Sequence, residues 1–194
     1  RVLRRRRQIH DNSDVANGPR RQRAYQRSML GSRKWSGTQM LILTAADLEA
    51  IYQQAKQEYP GECCGILTTA EGGGLSTVHS CRNIQDELHA KDPEQYPRDS
   101  RIAYFIDSGE LFRIISGAEK AGGGVSGFYH SHVDCDAYFS QEDKERAMAW
   151  DEPAYPDAVY LVVSVYGQES RGHKAFAWDE TQADFVEVEI TVQG

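Results

Sequence analysis

The chain has little with which to build a disulfide scaffold, a membrane span or a familiar metal-binding helix. Its four cysteines, Cys63, Cys64, Cys81 and Cys135, form no Cys-x-x-Cys pair and no scaffold spacing. Reduced thiols in a cytoplasmic setting are therefore expected. The longest apolar run, Ala158 to Tyr166, is nine residues, far short of the ~20 that a bilayer helix needs. No membrane association is expected from it. The basic N-terminal end has no apolar stretch behind it, so no secretory signal is read there. His-Glu-x-x-His is also missing, which excludes the arrangement in which one helix carries two zinc ligands and the base.

Charge is present in quantity but divided. Residues 1–39 hold eleven Lys and Arg against two acids, Asp11 and Asp14, while the remainder holds eleven basic and 27 acidic residues. An acidic body argues against a nucleic-acid surface, and only the basic leader speaks for one. The leader, with Arg4–Arg7, Asn17-Gly18-Pro19 and few core-forming residues, is expected to be disordered. Met40 immediately precedes the first strand, so translation from Met40 or Met29 is expected; the intact mass of natively expressed protein checks this. Residues 40–194 are long enough for one compact domain. Nothing in the sequence opposes self-association.

From Met40 the pattern is regular. A short strand, Met40–Leu43, precedes Thr44 and Asp47 in a capping-box spacing, and Leu48, Ile51, Tyr52, Ala55 and Tyr59 predict a helix over 45–58. Pro60-Gly61 ends it. Residues 62–67 and 75–81 read as a hairpin across Gly72-Gly73-Gly74. Residues 82–100 read as a long loop and Ile102–Ile106 as a strand. Ser108 is the expected cap of a helix burying Leu111, Phe112, Ile115 and Ala118. Val125–His132 should be a strand, Ser140–Trp150 a helix, Val159–Val165 a buried strand, and 172–178 and 184–192 closing strands. The fold class is α/β in content (α+β): a mixed set of hairpins and helices without strict βαβ alternation, repeat or second domain.

One stretch carries chemistry. Side chains on a strand alternate faces, so His130 and His132 project together while Ser131 points away. Ser140 is placed to cap the next helix, with Asp143 in its first turn, where an anion is favoured. Two imidazoles and one carboxylate leave the fourth position of a tetrahedral Zn²⁺ open, which is the catalytic rather than the structural arrangement. The base must come from elsewhere, and Glu62, in Pro-Gly-Glu-Cys-Cys-Gly at a helix-to-strand junction, is the leading candidate. Cys135 lies in the loop beside this set, as a free thiol or a fourth ligand.

His-Ser-His, seven residues, Ser, two residues, Asp, with an upstream Glu in Glu-Cys-Cys-Gly-Ile-Leu, resembles the JAMM/MPN+ (JAB domain) metallopeptidases. The resemblance runs from Met40 to the C-terminus and is closest to the compact prokaryotic members. Arg82-Asn83, Tyr104 and Tyr160–Ser164 agree with it. It implies a curved, mostly antiparallel or mixed sheet flanked by helices, of cytidine-deaminase-like JAB/MPN type. It implies one zinc held by His130, His132 and Asp143, with Glu62 as general base and Ser140 stabilising the oxyanion. It further implies cleavage of the amide or isopeptide bond after the C-terminal Gly-Gly of a ubiquitin-like or sulfur-carrier protein. Val133 stands where many members have Pro, which leaves the loop after the strand without that stiffening. Two other readings remain open: a DNA-associated protein of the RadC type, whose His-Asn-His-Pro-Ser-Gly motif is absent, and a non-catalytic adaptor for a ubiquitin-like partner.

Overall fold

The computed structural model describes residues 40–194, so the expected basic leader, residues 1–39, lies outside the described residues. Strand β1 (Ile42–Thr44) leads into helix α1 (Ala45–Glu58). Thr44 caps α1: its hydroxyl accepts the Asp47 N–H at 3.0 Å, and the Asp47 carboxylate accepts in return. Leu48, Ile51, Tyr52, Ala55 and Tyr59 all reach the core, as their spacing demands. Strands β2 (Cys64–Thr69) and β3 (Ser76–Cys81) form the hairpin. Its turn glycines, Gly72, Gly73 and Gly74, all take positive φ, which side chains with a Cβ resist.

Four expectations need correction in the next stretch. The polar segment 82–100 is not all loop, because Gln85–Lys91 forms helix α2. Asn83 Oδ1 accepts the Gln85 N–H at 2.9 Å, and Asp86 and Glu87 occupy the first turn, where the dipole favours acids. Ile102–Ile106 is not a strand. The Asn83 side chain instead bonds the Ala103 carbonyl and the Phe105 N–H, taking the place of a ladder. Helix α3 (Ser108–Lys120) is capped by Asp107, whose carboxylate accepts the N–H of Gly109 and Glu110, and not by Ser108. Its buried stripe is Leu111, Ile114 and Ile115, whereas Phe112 is 40% exposed.

Strand β4 (Gly124–Val133) precedes helix α4 (Gln141–Ala147). That helix is shorter than expected: Met148 turns extended, and β5 (Met148–Ala149) pairs with β6 (Glu152–Pro153) across Trp150. The chain closes with β7 (Val159–Tyr166), β8 (Glu169–Asp179), β9 (Asp184–Val188) and β10 (Thr191–Gln193). Among the described residues no helix is long and apolar enough to cross a membrane.

The main sheet runs β3-β2-β4-β7-β8-β9. All neighbours are antiparallel except β4 and β7, which run parallel, so the sheet is mixed. Strand β1 pairs separately with β10. One sheet face buries Cys63, Leu67, Tyr129, Leu161, Val163 and Val165 against Leu41, Leu43 and α1. The other carries an aromatic layer in which Phe139 meets Tyr160, Phe176 and Phe185. Helix α3 packs on β2 and β4.

Gly65 shows how tightly β2 and β4 are fitted. A Cβ there would stand 2.2 Å from the Tyr129 ring. Tyr129 cannot retreat, because it is fully buried and donates to Gln54 Oε1 at 2.6 Å. Gly65→Ala is expected to lower the unfolding free energy by about 2–3 kcal/mol, read from urea denaturation.

Candidate metal centre

The β2/β4 register sets Cys64 opposite His130. The pairing continues through Cys63 and Ser131: the Ser131 N–H donates to the Cys63 carbonyl, and the Cys63 N–H donates to Ser131 Oγ at 2.8 Å. Glu62 comes one residue before this pairing, and its own N–H turns to the Ser100 carbonyl at 2.6 Å. Ser131 points to the face opposite both imidazoles, as alternation requires.

The ring atoms converge with the helix. His130 Nε2 and His132 Nε2 lie 3.2 Å apart, and Asp143 places Oδ1 3.3 Å from the first and Oδ2 3.6 Å from the second. Ligands on a tetrahedral zinc, at ~2.0–2.1 Å from the ion, stand about 3.3 Å from one another. The donor set therefore fits zinc in both type and spacing. Among the described residues this is the one such group of three, and Cys135 is not part of it. All three side chains are buried.

Neighbours fix each ligand. His132 Nδ1 faces the Asp136 carbonyl at 3.3 Å, a contact that puts the proton on Nδ1 and leaves Nε2 as the donor to a cation. Tyr138 packs edge-on against His132, and Tyr104 stacks on His130 at 4.6 Å between centroids. Ser140 Oγ accepts the Asp143 N–H at 3.1 Å, while Asp143 Oδ2 accepts from the Ser140 hydroxyl at 2.6 Å and from its N–H at 2.9 Å. Asp143 is thus oriented by a capping box before any ion arrives. Burial alone would raise its pKa, but the charge and hydrogen bond of His130, with the bonds from His132 and Ser140, hold it far below the usual carboxylate range.

The loop that follows β4 is pinned without the proline that Val133 replaces. The Asp134 N–H donates to the Val165 carbonyl at 2.8 Å and Ser164 Oγ to the Cys135 carbonyl at 2.7 Å. Asp134 takes φ 53, a conformation that aspartate tolerates, and its carboxylate accepts from Tyr59 Oη and the Gly167 N–H.

Glu62 has the opposite character to Asp143. It is 7% exposed. Burial first, and the Asp143 charge second, push its pKa up to about 9, against the pull of Arg146. In the metal-free protein it holds a proton that the unfolded chain releases near pH 4.5. The sign follows: the stability it confers is whole below that pH and is lost as pH rises to about 9. With ~1.4 kcal/mol per unit of displacement, chelated protein should lose several kcal/mol of unfolding free energy across this window. Glu62→Gln should flatten the profile and be the more stable protein at the alkaline end, as read from urea melts at a series of pH values.

The structure brings His130, His132, Ser140 and Asp143 into contact, with Glu62 in reach of the Asp143 charge; it gives a contact to Tyr104, which the resemblance had noted, and adds four residues that sequence reasoning missed. Tyr104 and Tyr138 pack the imidazoles; Glu142 joins Arg98 and Arg146 beside them. The Glu142/Arg146 spacing of four on a helix was a usable signal. Arg98 had none, because it arrives from a separate loop.

A protein named desampylase, from Haloferax volcanii, is 30% identical over 158 residues, covering 79% of this chain and 96% of that one. A CysO-cysteine peptidase of Mycobacterium tuberculosis is 31% identical over 129 residues, 66% of this chain and 76% of the relative. A solution structure of a Desulfitobacterium hafniense protein shares the fold with a TM-score of 0.56 at 24% identity, covering 79% of this chain and 93% of that one. The model describing prokaryotic homologues of the JAB domain matches residues 44–179, and the chain belongs to that family, the compact prokaryotic branch of the JAMM/MPN+ proteins.

Proposed function

We propose that the chain is a zinc metallopeptidase that hydrolyses the bond after the C-terminal Gly-Gly of a ubiquitin-like or sulfur-carrier protein. The observation that carries this reading is the meeting of His130, His132 and Asp143, with the Asp143 charge acting on the buried carboxyl of Glu62. Relatives named desampylase and CysO-cysteine peptidase support the substrate class.

His130, His132 and Asp143 would hold one zinc per chain. When bound, zinc supplies Lewis acidity at the scissile carbonyl and acidifies water. Positive charge held by these three residues would also favour ionised Glu62, against the effect of burial. Glu62 then accepts the proton of the attacking water and returns it to the leaving nitrogen. The Ser140 hydroxyl has a single hydrogen, which points at Asp143 Oδ2. Rotating that hydrogen toward the substrate lets it serve the developing oxyanion while the oxygen goes on accepting the Asp143 N–H.

The test uses a carrier joined through Gly-Gly to cysteine and, separately, to a lysine side chain, each incubated with the zinc-loaded chain. Cleavage after the second glycine that stops on chelation and returns with zinc is the expected result. Intact fusions, or cleavage indifferent to chelator, would overturn the reading.

A further inference from the structure

Arg98 and Arg146 share one carboxylate. Arg146 Nη2 donates to Glu142 Oε1 at 2.7 Å, and Arg98 Nη1 meets Glu142 Oε2. Among the described residues, neither guanidinium has a carboxylate partner to itself. Arg101 differs, since it has Asp99 to itself. Neither guanidinium of the pair is exhausted, because each fork carries five N–H donors. Arg146 gives one more to the Tyr104 carbonyl, and the Arg98 side chain is 50% exposed.

Each arginine connects to the candidate metal centre by its own route. The Arg98 carbonyl is fixed by Gln85 Nε2 at 2.7 Å, and nearby the Ser100 carbonyl accepts the Glu62 N–H at 2.6 Å. Arg146 lies one turn beyond Asp143 on α4, with its guanidinium carbon 5.8 Å from the centre of the Tyr104 ring that stacks on His130. Both guanidinium charges act on Glu62, opposing the burial that raises its pKa.

We infer that Arg98 and Arg146 recognise the α-carboxylate of the leaving amino acid, so that the site prefers a single C-terminal residue after Gly-Gly to a lysine isopeptide. The inference rests on the peptidase reading above. Glu62 must hand a proton to the leaving nitrogen, so that nitrogen comes to rest against Glu62. In a C-terminal amino acid the carboxylate hangs from the very carbon bonded to this nitrogen, and paired arginine forks match its shape. In an isopeptide, methylenes follow the nitrogen and offer the arginines nothing.

The experiment compares Gly-Gly-Cys carrier ending in a free acid with the same carrier ending in a carboxamide, and with the Gly-Gly lysine isopeptide. Zinc-loaded parent should cleave the acid with kcat/KM at least about tenfold above the amide. In Arg98→Gln and Arg146→Gln this acid-to-amide ratio should fall toward one, and Arg146→Lys should restore part of it. A ratio near one in the parent, or a ratio unchanged in both glutamine variants, overturns the inference. Binding of the Gly-Gly-Cys peptide acid and amide to zinc-loaded Glu62→Gln, followed by calorimetry, separates the two failures. Acid-selective binding that Arg98→Gln abolishes sustains the carboxylate site even if no substrate is cleaved. Equal binding of acid and amide rejects it, whatever the turnover.

Discussion

Glu62→Gln should keep its zinc and lose about a hundredfold to ten-thousandfold in turnover. The amide is close in size to the carboxyl and leaves His130, His132 and Asp143 untouched, so the ion has no reason to leave. What disappears is the group that takes and returns a proton, and such groups contribute about 10²–10⁴ in rate. The same substitution removes a carboxyl that burial and Asp143 hold protonated up to about pH 9. Stability of the chelated protein at alkaline pH should therefore rise while activity falls. Opposite signs in one variant separate lost chemistry from lost folding. Metal content, a pH series of urea melts and hydrolysis of a Gly-Gly fusion read all three quantities. Turnover at the parental rate would remove Glu62 from the mechanism.

Asp143 should give the second large effect, and its two substitutions should divide. Asp143→Asn and Asp143→Ala each remove the anionic member of the donor set, and zinc affinity should fall by at least about a hundredfold in both. Only the alanine also empties the capping box, in which Asp143 Oδ2 accepts from the Ser140 N–H and hydroxyl. An asparagine oxygen can still accept there. Metal-free Asp143→Ala should therefore be less stable than Asp143→Asn by about 1 kcal/mol. Retention of zinc by either variant after dialysis would argue against Asp143 as a ligand.

The elements legible in the sequence are those set by local rules. The capping box at Thr44 and the stripe from Leu48 to Tyr59 fix α1 without reference to the rest of the chain. His130 and His132 share a face because strands alternate, and Ser140 and Asp143 come with them because a helix begins there. Glu62 is different. The Asp143 charge reaches it because β2 pairs with β4, which no local spacing reveals, and the sequence pointed to it chiefly through a resemblance to a family. The errors have the same origin. Asn83 draws Ala103, Phe105 and Gln85 around one side chain, and so converts an expected strand into irregular chain and part of an expected loop into a helix. Helix α4 stops early because Met148 finds a partner in Pro153, a pairing that helical periodicity cannot foresee.

The reciprocal hydrogen bonds between Ser140 and Asp143 bear on how descendants of this fold should be judged. Selection for a well-started helix is enough to keep a serine and an aspartate three positions apart, even in a lineage that has given up hydrolysis. Their survival in a distant cousin therefore testifies to architecture. Loss or retention of the glutamate across the sheet, which has no architectural duty and costs stability while it stays ionised, is the sharper witness to whether such a cousin still works.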